Sequence, residues 1–558
     1  MSLTGGLSAF FKQFAEDGDR EIIKMLEEDP LDYRGYLLMG FLLEGENTDQ
    51  AYLTYENADY LCRRAKREKG IPQEEFDAAT TLLREKMEAL SKKEDFHVNP
   101  PSFIILSWNT LDLTRKCLES IRTTCDIDRC EVVIVDNNSN DGSKEWLRQQ
   151  EDIVFVDNDY NAGFPGGCNL GFHAASTGHD MLLLNSDTEL TENALYTLRM
   201  ALYSDRRNGM AGGYSNVNYL NRIPKKVPAI PDESRYYQYG KMVNLPRKNH
   251  VENVAVLFAF YVIVRRDVFD RVGEWDELFN PGNYDDNDYS YRVLKAGYRN
   301  VLCWNSFIIH RAHRTFKKNA LPHSKIRSVN FEKFREKWEF APDYYSDAHL
   351  DMISMIEHSE NDQFRALFVG CGCGEAVNRI TFEFPQSEVR GIEKRRDIAD
   401  MGAVMGNVIC GDPETMELPC EEDGYNYIFL ANTLEQAENP ELVLEKVKEC
   451  LAPGGKIICN IPNALNAENV RAMLMGNFQY GVVGVRNRLN RHFFTYSDMV
   501  RLFDKAGYRV EYVLNLVLRE MRTQNWKDFF DRLEGIEGTI DKNRMDAHHY
   551  VFRLSVKE

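Results

Sequence analysis

The stretch Asn99-Pro100-Pro101-Ser102-Phe103-Ile104-Ile105-Leu106-Ser107-Trp108-Asn109 decides the fold of the central part of this chain. Two prolines end whatever pattern precedes them, and the apolar run over 103–107 is short, β-branched and closed by polar residues, as in a buried strand. Residues 131–136, 153–157 and 181–185 repeat that pattern. Between them, 113–122, 143–150 and 162–175 carry apolar residues at helical spacing. Strands alternating with helices predict a parallel α/β sheet.

Upstream of Asn99 the pattern is helical. Residues 21–28 and 33–43 have three-and-four apolar spacing with few β-branched residues, which predicts a helical domain over 1–98. Within it, 33–43, a turn at Glu44-Gly45-Glu46-Asn47 and 50–66 form a hairpin that resembles one tetratricopeptide unit. One unit is no solenoid, so the hairpin is either a cap packed on the next domain or a docking surface for a protein partner. Downstream, a second transition near Pro342, a helix over 347–358 and a new apolar strand from 364 predict a boundary there. The expected domains are 1–98, 99–342 and 343–558.

At 558 residues the chain is too long for one core. Its 43% hydrophobic and 28% charged residues exclude global disorder. The 68 basic and 87 acidic residues sum to −19, so the chain as a whole repels phosphate backbones and anionic lipid, and nucleic acid is not an expected partner. The longest apolar run, residues 254–264, falls short of the ~20 residues of a membrane helix, and no hydrophobic leader follows the first residues. No transmembrane segment and a cytoplasmic location are therefore expected. The 12 cysteines are scattered and read as reduced thiols.

In an open parallel sheet, ligands meet the carboxyl ends of the strands, and here those ends are polar and acidic. In order come LSWN at 106–109, VDNNSNDGS at 135–143, NAGFPGGCNLG at 161–171 and LLLNSDTEL at 182–190. Then follow Gly273-Glu274-Trp275-Asp276-Glu277-Leu278-Phe279, Tyr284-Asp285-Asp286-Asn287-Asp288 and Phe307-Ile308-Ile309-His310. In that order these motifs resemble the GT-A glycosyltransferases of family 2, close to the rhamnosyl- and galactofuranosyltransferase-like branches, over roughly 101–340.

The resemblance implies a nucleotide-sugar donor and a divalent metal, Mn²⁺ or Mg²⁺, that neutralises the diphosphate leaving group. Asp187 and His310 match the metal ligands, although Asn185 stands where the family has its first Asp. Asp286 matches the base that takes the acceptor's proton in an inverting transfer, a role suited to a carboxylate among carboxylates. Trp108 and Asp136 match residues on the donor base. Gly163, Gly166 and Gly167 would let backbone approach the nucleotide, and Asn169 would offer an amide to it. Cys168 stands where many relatives have Arg.

Further on, an apolar strand over 366–369 leads into Gly370-Cys371-Gly372-Cys373-Gly374. The dinucleotide fingerprint G-x-G-x-x-G and the P-loop both fail here, leaving G-x-G-x-G. With Val389-Arg390-Gly391-Ile392-Glu393, Gly411-Asp412, Leu434-Glu435-Gln436 and Leu451-Ala452-Pro453-Gly454-Gly455-Lys456, this resembles a class I S-adenosylmethionine-dependent methyltransferase of Rossmann-like fold over about 360–515. The resemblance places S-adenosylmethionine on Gly370, Gly372, Gly374, Glu393 and Asp412. Phe368 replaces an acidic residue below the loop, and Gln436 replaces a histidine. Methyl transfer from a sulfonium depends mainly on positioning, so both an active and a degenerate domain fit these departures.

The expected protein is a metal-dependent inverting glycosyltransferase that acts on a hydroxyl of a surface glycan or of a protein such as flagellin, with S-adenosylmethionine-dependent methylation by the last domain. The alternatives are a transferase with a non-catalytic methyltransferase-fold module, and a scaffold that only binds glycan or protein.

Overall fold

The computed structural model describes residues 18–217, 234–247, 250–311, 322–482, 484–517, 524–537 and 542–557. The chain divides into two compact units, Met1–Glu336 and Lys337–Glu558.

The first unit opens with helices α1 (Gly18–Glu28), α2 (Tyr33–Leu43), α3 (Thr48–Lys69) and α4 (Gln73–Ser91). Asp32 and Asn47 cap α2 and α3 with their side chains, and Gly70 ends α3 in the left-handed region at φ 67°. The α2–α3 hairpin packs as a cap on the sheet that follows. Its buried face belongs to the core of the following sheet, and α3 lies along α8 (Ala194–Leu202). Thr54 and Tyr196 share a hydrogen bond of 3.0 Å, Gln50 donates to the Met200 carbonyl at 2.9 Å, and Arg64 pairs with Glu192 at 2.8 Å.

The sheet of this unit runs β3-β2-β1-β4-β8-β6-β9-β5, with β5 spanning Thr188–Glu189 and β7 (Val251–Asn253) paired on β9. Strands β1 (Pro101–Ser107), β2 (Glu131–Asn137), β3 (Val154–Asn158) and β4 (Asp180–Asn185) are parallel, as their alternation with helices predicts. The rest is mixed. Strand β8 (Tyr261–Val264) pairs antiparallel with both β4 and β6 (Asn208–Ser215), and β9 (Arg299–His310) runs parallel to β6. Leu106 pairs with Asn185 and Ser107 with Asp136, so β1, β2 and β4 end side by side where the strand order reverses.

The second unit has a seven-stranded sheet of order β12-β11-β10-β13-β14-β16-β15. Strands β10 (Arg365–Val369), β11 (Glu388–Glu393), β12 (Val408–Cys410), β13 (Tyr425–Ala431) and β14 (Leu451–Pro462) are parallel, and β16 (Ala547–Val556) is antiparallel between β14 and β15 (Tyr508–Val517). Separate apolar clusters cover the two faces of this sheet. Cys420 and Cys450 form a disulfide, which corrects the reading of all cysteines as reduced: the loop before β13 and the end of α17 (Pro440–Glu449) bring their Cα atoms to 4.8 Å. Among the described residues, no helix is long and apolar enough to cross a membrane.

Candidate active sites

The crevice of the first unit is built by clamping loops together. Asn109, in the left-handed region at φ 54°, donates its N–H to Ser139 Oγ at 2.8 Å and accepts the Asn140 N–H at 2.8 Å. The loops after β1 and β2 are thereby joined, with Trp108 half-buried on one and Asp136 buried at the root of the other. Asp136 Oδ2 accepts the Ser139 N–H at 2.7 Å, and its Oδ1 is buried with no hydrogen-bond partner among the described residues. Burial raises the Asp136 pKa, against the opposing hydrogen bonds from Ser139. An unsatisfied buried carboxylate oxygen costs roughly 1–3 kcal/mol unless a ligand supplies a donor.

Asn137 holds the third loop. Its amide donates to Asn161 Oδ1 and the Gly163 carbonyl, and its oxygen accepts the Ala162 N–H. None of Asn109, Asn137 and Ser139 was assigned a role from the sequence, although the Asn-rich run at 137–140 was visible there as a strand end.

Two residues expected near the donor have partners within the protein. Gly163 (φ 75°) permits a close approach of the protein to itself: a Cβ there would lie 2.4 Å from Asn280 Oδ1 and 3.1 Å from Pro281 Cα. Asn169 is engaged with the backbone of Trp275. Its Nδ2 donates to the Trp275 carbonyl at 2.9 Å and its Oδ1 accepts the Trp275 N–H at 3.0 Å, which fixes the 273–279 loop on α7 (Gly163–Ala174). A side chain that satisfies both backbone groups of one residue positions that residue.

Asp187 and His310 are brought together from opposite ends of the fold. Strand β5 (Thr188–Glu189) pairs antiparallel with the end of β9, so Thr188 faces His310, and His310 Nε2 lies 3.2 Å from Asp187 Oδ1. Both side chains are buried, and the imidazole stacks on Phe260 at 5.2 Å. Among the described residues, no group of three or more His, Cys, Asp or Glu is placed to hold a metal. The Asp187–His310 pair supplies an oxygen and a nitrogen of the kind Mn²⁺ accepts, and fits an ion whose remaining ligands come from a diphosphate. A cavity of about 550 Å³, lined in part by Lys116, Tyr237, Lys241 and Arg311, lies beside this pair and does not include it.

The acidic cluster opens α11 (Asp285–Lys295) after Asn283 and Tyr284, both at positive φ. Its members differ. Asp288 is fully buried and paired with Arg292 at 2.9 Å, and Arg292 also donates to the carbonyls of Val272 and Glu274, so this pair anchors the helix. Asp286 is half-buried and accepts the Ala259 N–H at 3.2 Å. Burial pushes its pKa up to about 7. Burial, followed by the charge of Asp286, also raises Asp285. Cys168 lies close enough for both acids to raise its thiol pKa after burial does so. No cation stands at position 168 to oppose them.

In the second unit, the loop after β10 carries Gly370, Gly372 and Gly374 at φ 76°, 55° and 83° and leads into α15 (Glu375–Glu383). At Gly372 a Cβ would lie 2.3 Å from the Tyr345 carbonyl oxygen, which also accepts the Cys373 N–H at 2.7 Å. Glu393, buried at the end of β11, accepts the Gly372 N–H on Oε2 at 3.0 Å and the Arg395 N–H on Oε1 at 2.9 Å, and burial raises its pKa. The Lys394 N–H also engages the carboxylate, and the acceptor capacity that remains is of the kind a nucleoside hydroxyl uses. Asp412 pairs with Lys394 at 2.7 Å and accepts the Glu414 N–H at 3.0 Å.

The two departures are absorbed by packing. Phe368 stacks on Phe429 at 5.0 Å, and Gln436 hydrogen-bonds the Tyr344 hydroxyl. Glu435 lies in the Leu434-Glu435-Gln436 stretch, beside Gln436. It is 2% exposed, its Oε2 has no hydrogen-bond partner among the described residues, and burial pushes its pKa up to about 8.

Comparison with known proteins agrees with these two halves. Residues 102–273 match the family described as Glycosyl transferase family 2, and residues 323–513 match a family described as Methyltransferase domain. The low-salt glycan biosynthesis hexosyltransferase Agl10 of Haloferax volcanii is 27% identical over 191 residues, which is 32% of this chain and 58% of that protein. The chain spans little more than half the length of the curated relatives it matches. Among solved structures, a mannosyltransferase from Pyrobaculum calidifontis in complex with GDP-Man and Mn²⁺ is 15% identical with a TM-score of 0.30, covering 42% of this chain and 61% of that one. A SAM-dependent methyltransferase from Thermotoga maritima is 15% identical with a TM-score of 0.27, covering 41% of this chain and 96% of that one.

Proposed function

We propose that this fusion of a family 2 glycosyltransferase segment with a methyltransferase segment is an inverting glycosyltransferase, organised over 1–98, 99–342 and 343–558. It would move a sugar from a nucleotide-sugar donor to a hydroxyl of a surface glycan or of a protein such as flagellin. The observation that carries the reading is the buried Asp187–His310 pair at the end of β4, on the sheet whose β1 and β2 ends hold Trp108 and Asp136.

Asp136 Oδ1, buried and unsatisfied, is the acceptor we assign to the imide N–H of a pyrimidine base, with Trp108 beside it as a stacking face. Asp187 and His310 are the residues that would hold Mn²⁺ or Mg²⁺. Such an ion, when bound, supplies positive charge to the diphosphate leaving group. Asp286 takes the acceptor's proton while the new bond forms at the anomeric carbon and the bond to the diphosphate breaks. A carboxylate with a pKa near 7 is matched to that transfer at neutral pH.

For the second unit, the residues that would bind S-adenosylmethionine are Gly370, Gly372, Gly374, Glu393 and Asp412. The sulfonium supplies the methyl group when bound. The chain's own contribution is Glu393, which accepts the Gly372 N–H and so sets the loop. A second reading, a non-catalytic module, is favoured by one observation: Phe368 and Gln436 both serve packing.

A thermal-shift panel of nucleotide sugars, with and without Mn²⁺, tests the transferase reading. Stabilisation by one donor class that requires the metal is expected. No stabilisation by any donor, with donor hydrolysis also absent, would remove it.

A further inference from the structure

Outside both sites, one run of the second unit turns large apolar side chains to solvent consecutively. Met473, Leu474, Met475, Phe478 and Tyr480 are 48, 67, 74, 39 and 62% exposed. The run is held by its inner side. Helix α18 (Ala467–Leu474) buries Ala467 and packs Val470 in a small cluster with Trp526 and Phe530, while the Arg471 guanidinium lies over Trp526 at 5.3 Å. The outward apolar face is therefore built, not frayed.

The rings make the face continuous: Phe478 lies 5.7 Å from Tyr480 and 5.8 Å from Phe493, itself exposed. Basic residues flank it. The Gly481 N–H donates to the Arg486 carbonyl at 2.7 Å and the Arg488 N–H donates to the Gly481 carbonyl at 3.1 Å, so Arg486 and Arg488 stand next to Tyr480 in space. Two of these cations are shared with carboxylates: Arg486 lies 3.9 Å from Glu468, and Arg491, two residues from Phe493, pairs with Glu438 at 3.1 Å. Across 464–495 there are four arginines and one glutamate, in a chain of net charge −19.

We infer that this lobe is a peripheral contact for anionic lipid. Soluble surfaces seldom present so many consecutive large apolar side chains without a use. Leu, Met and aromatic side chains seated at the headgroup boundary, with arginines at their rim, are the chemistry of interfacial attachment. The net charge does not oppose it: charges further than ~10 Å away are screened at ordinary ionic strength, so the membrane meets the lobe's own charges, with Arg488 beside the exposed rings. The same screening limits the sequence-based expectation that the chain repels anionic lipid. The inference stands apart from the transferase reading.

Vesicle flotation of the full-length chain tests it, with phosphatidylcholine alone compared with mixtures holding roughly one-third phosphatidylglycerol. Flotation with the anionic vesicles is expected, weakening as salt is raised. The double substitution Leu474→Glu, Met475→Glu should lower the bound fraction at least about tenfold, since it removes two exposed apolar anchors and adds repulsion. Arg488→Glu should lower it less and flatten the salt dependence. Met242→Glu, at an equally exposed methionine in the other unit, should change nothing. Circular dichroism checks that each variant is folded. No flotation with anionic vesicles, or undiminished flotation of the double variant, overturns the inference, including the case in which the face docks a protein instead.

Discussion

His310 Nε2 stands 3.2 Å from Asp187 Oδ1 because a two-residue strand, β5, pairs with the last residues of β9. Two side chains far apart in the chain, the ones proposed to hold the metal, are thus set by one short ladder. Its neighbours are also fixed: the Arg311 N–H donates to the Asp187 carbonyl at 2.8 Å, and the His310 N–H donates to Asn216 Oδ1 at 2.7 Å. These backbone contacts do not depend on either side chain, so removing one should act on binding more than on folding.

Asp187→Ala and His310→Ala are each expected to weaken Mn²⁺-dependent binding of a nucleoside diphosphate by at least about tenfold, because one of two protein donors is lost. Isothermal titration with and without Mn²⁺ reads this directly. Unchanged affinity in both variants would mean that the diphosphate is neutralised by other groups.

Asp286→Asn should keep donor and metal binding and lose transfer by about 10²–10⁴-fold, since an amide cannot take the acceptor's proton. In the parent, the rate should rise with pH through about 7 as the carboxylate ionises. Stability moves the other way. A carboxyl raised from 3.8 to about 7 favours the folded state at low pH, and that contribution disappears as pH rises through about 7. The substituted amide cannot ionise, so the variant should be more stable than the parent above pH 7, by roughly 1–2 kcal/mol given the partial exposure of the group, and not below about pH 4. Melting curves across that range check the sign.

Much of this was readable in the chain because period-2 and period-3.6 patterns report burial. The strands 103–107, 131–136, 153–157 and 181–185 lie within a residue of β1 to β4, apart from an extension of β1 back to Pro101. The polar residues ending them lie at the crevice because strand ends must. What the pattern does not carry is partnership. Nothing local tells that Asn169 pairs with Trp275, or that the α2–α3 hairpin shares a core with α8, since those contacts close over long sequence separations. The same holds for Cys420 and Cys450, and for the antiparallel placement of β8.

Asn169→Ala leaves the N–H and carbonyl of the buried residue Trp275 without their partner. A loss of about 2–3 kcal/mol in unfolding free energy is expected, with the donor affinity of the folded protein little changed. Denaturant titration and calorimetry separate the two. If Asn169 instead contacted the donor, affinity would fall while stability held.

The last prediction concerns Glu393, whose two oxygens accept N–H groups from the glycine loop and from Arg395. In Glu393→Gln, the side chain keeps its length but one end becomes a donor facing a backbone N–H, and the charge that strengthens a ribose hydrogen bond is lost. Hydrogen bonds to a charged acceptor are worth ~1.5–3 kcal/mol, so S-adenosylmethionine or its demethylated product should bind the full-length variant at least about tenfold more weakly. Phe368→Leu is the control: it trims a ring stacked in the core on Phe429 and should lower stability without moving cofactor affinity. Titration of the parent chain decides between the readings of this unit. Binding that weakens in Glu393→Gln and survives Phe368→Leu supports a working nucleoside site, and no binding by the parent up to millimolar cofactor leaves the unit a structural module.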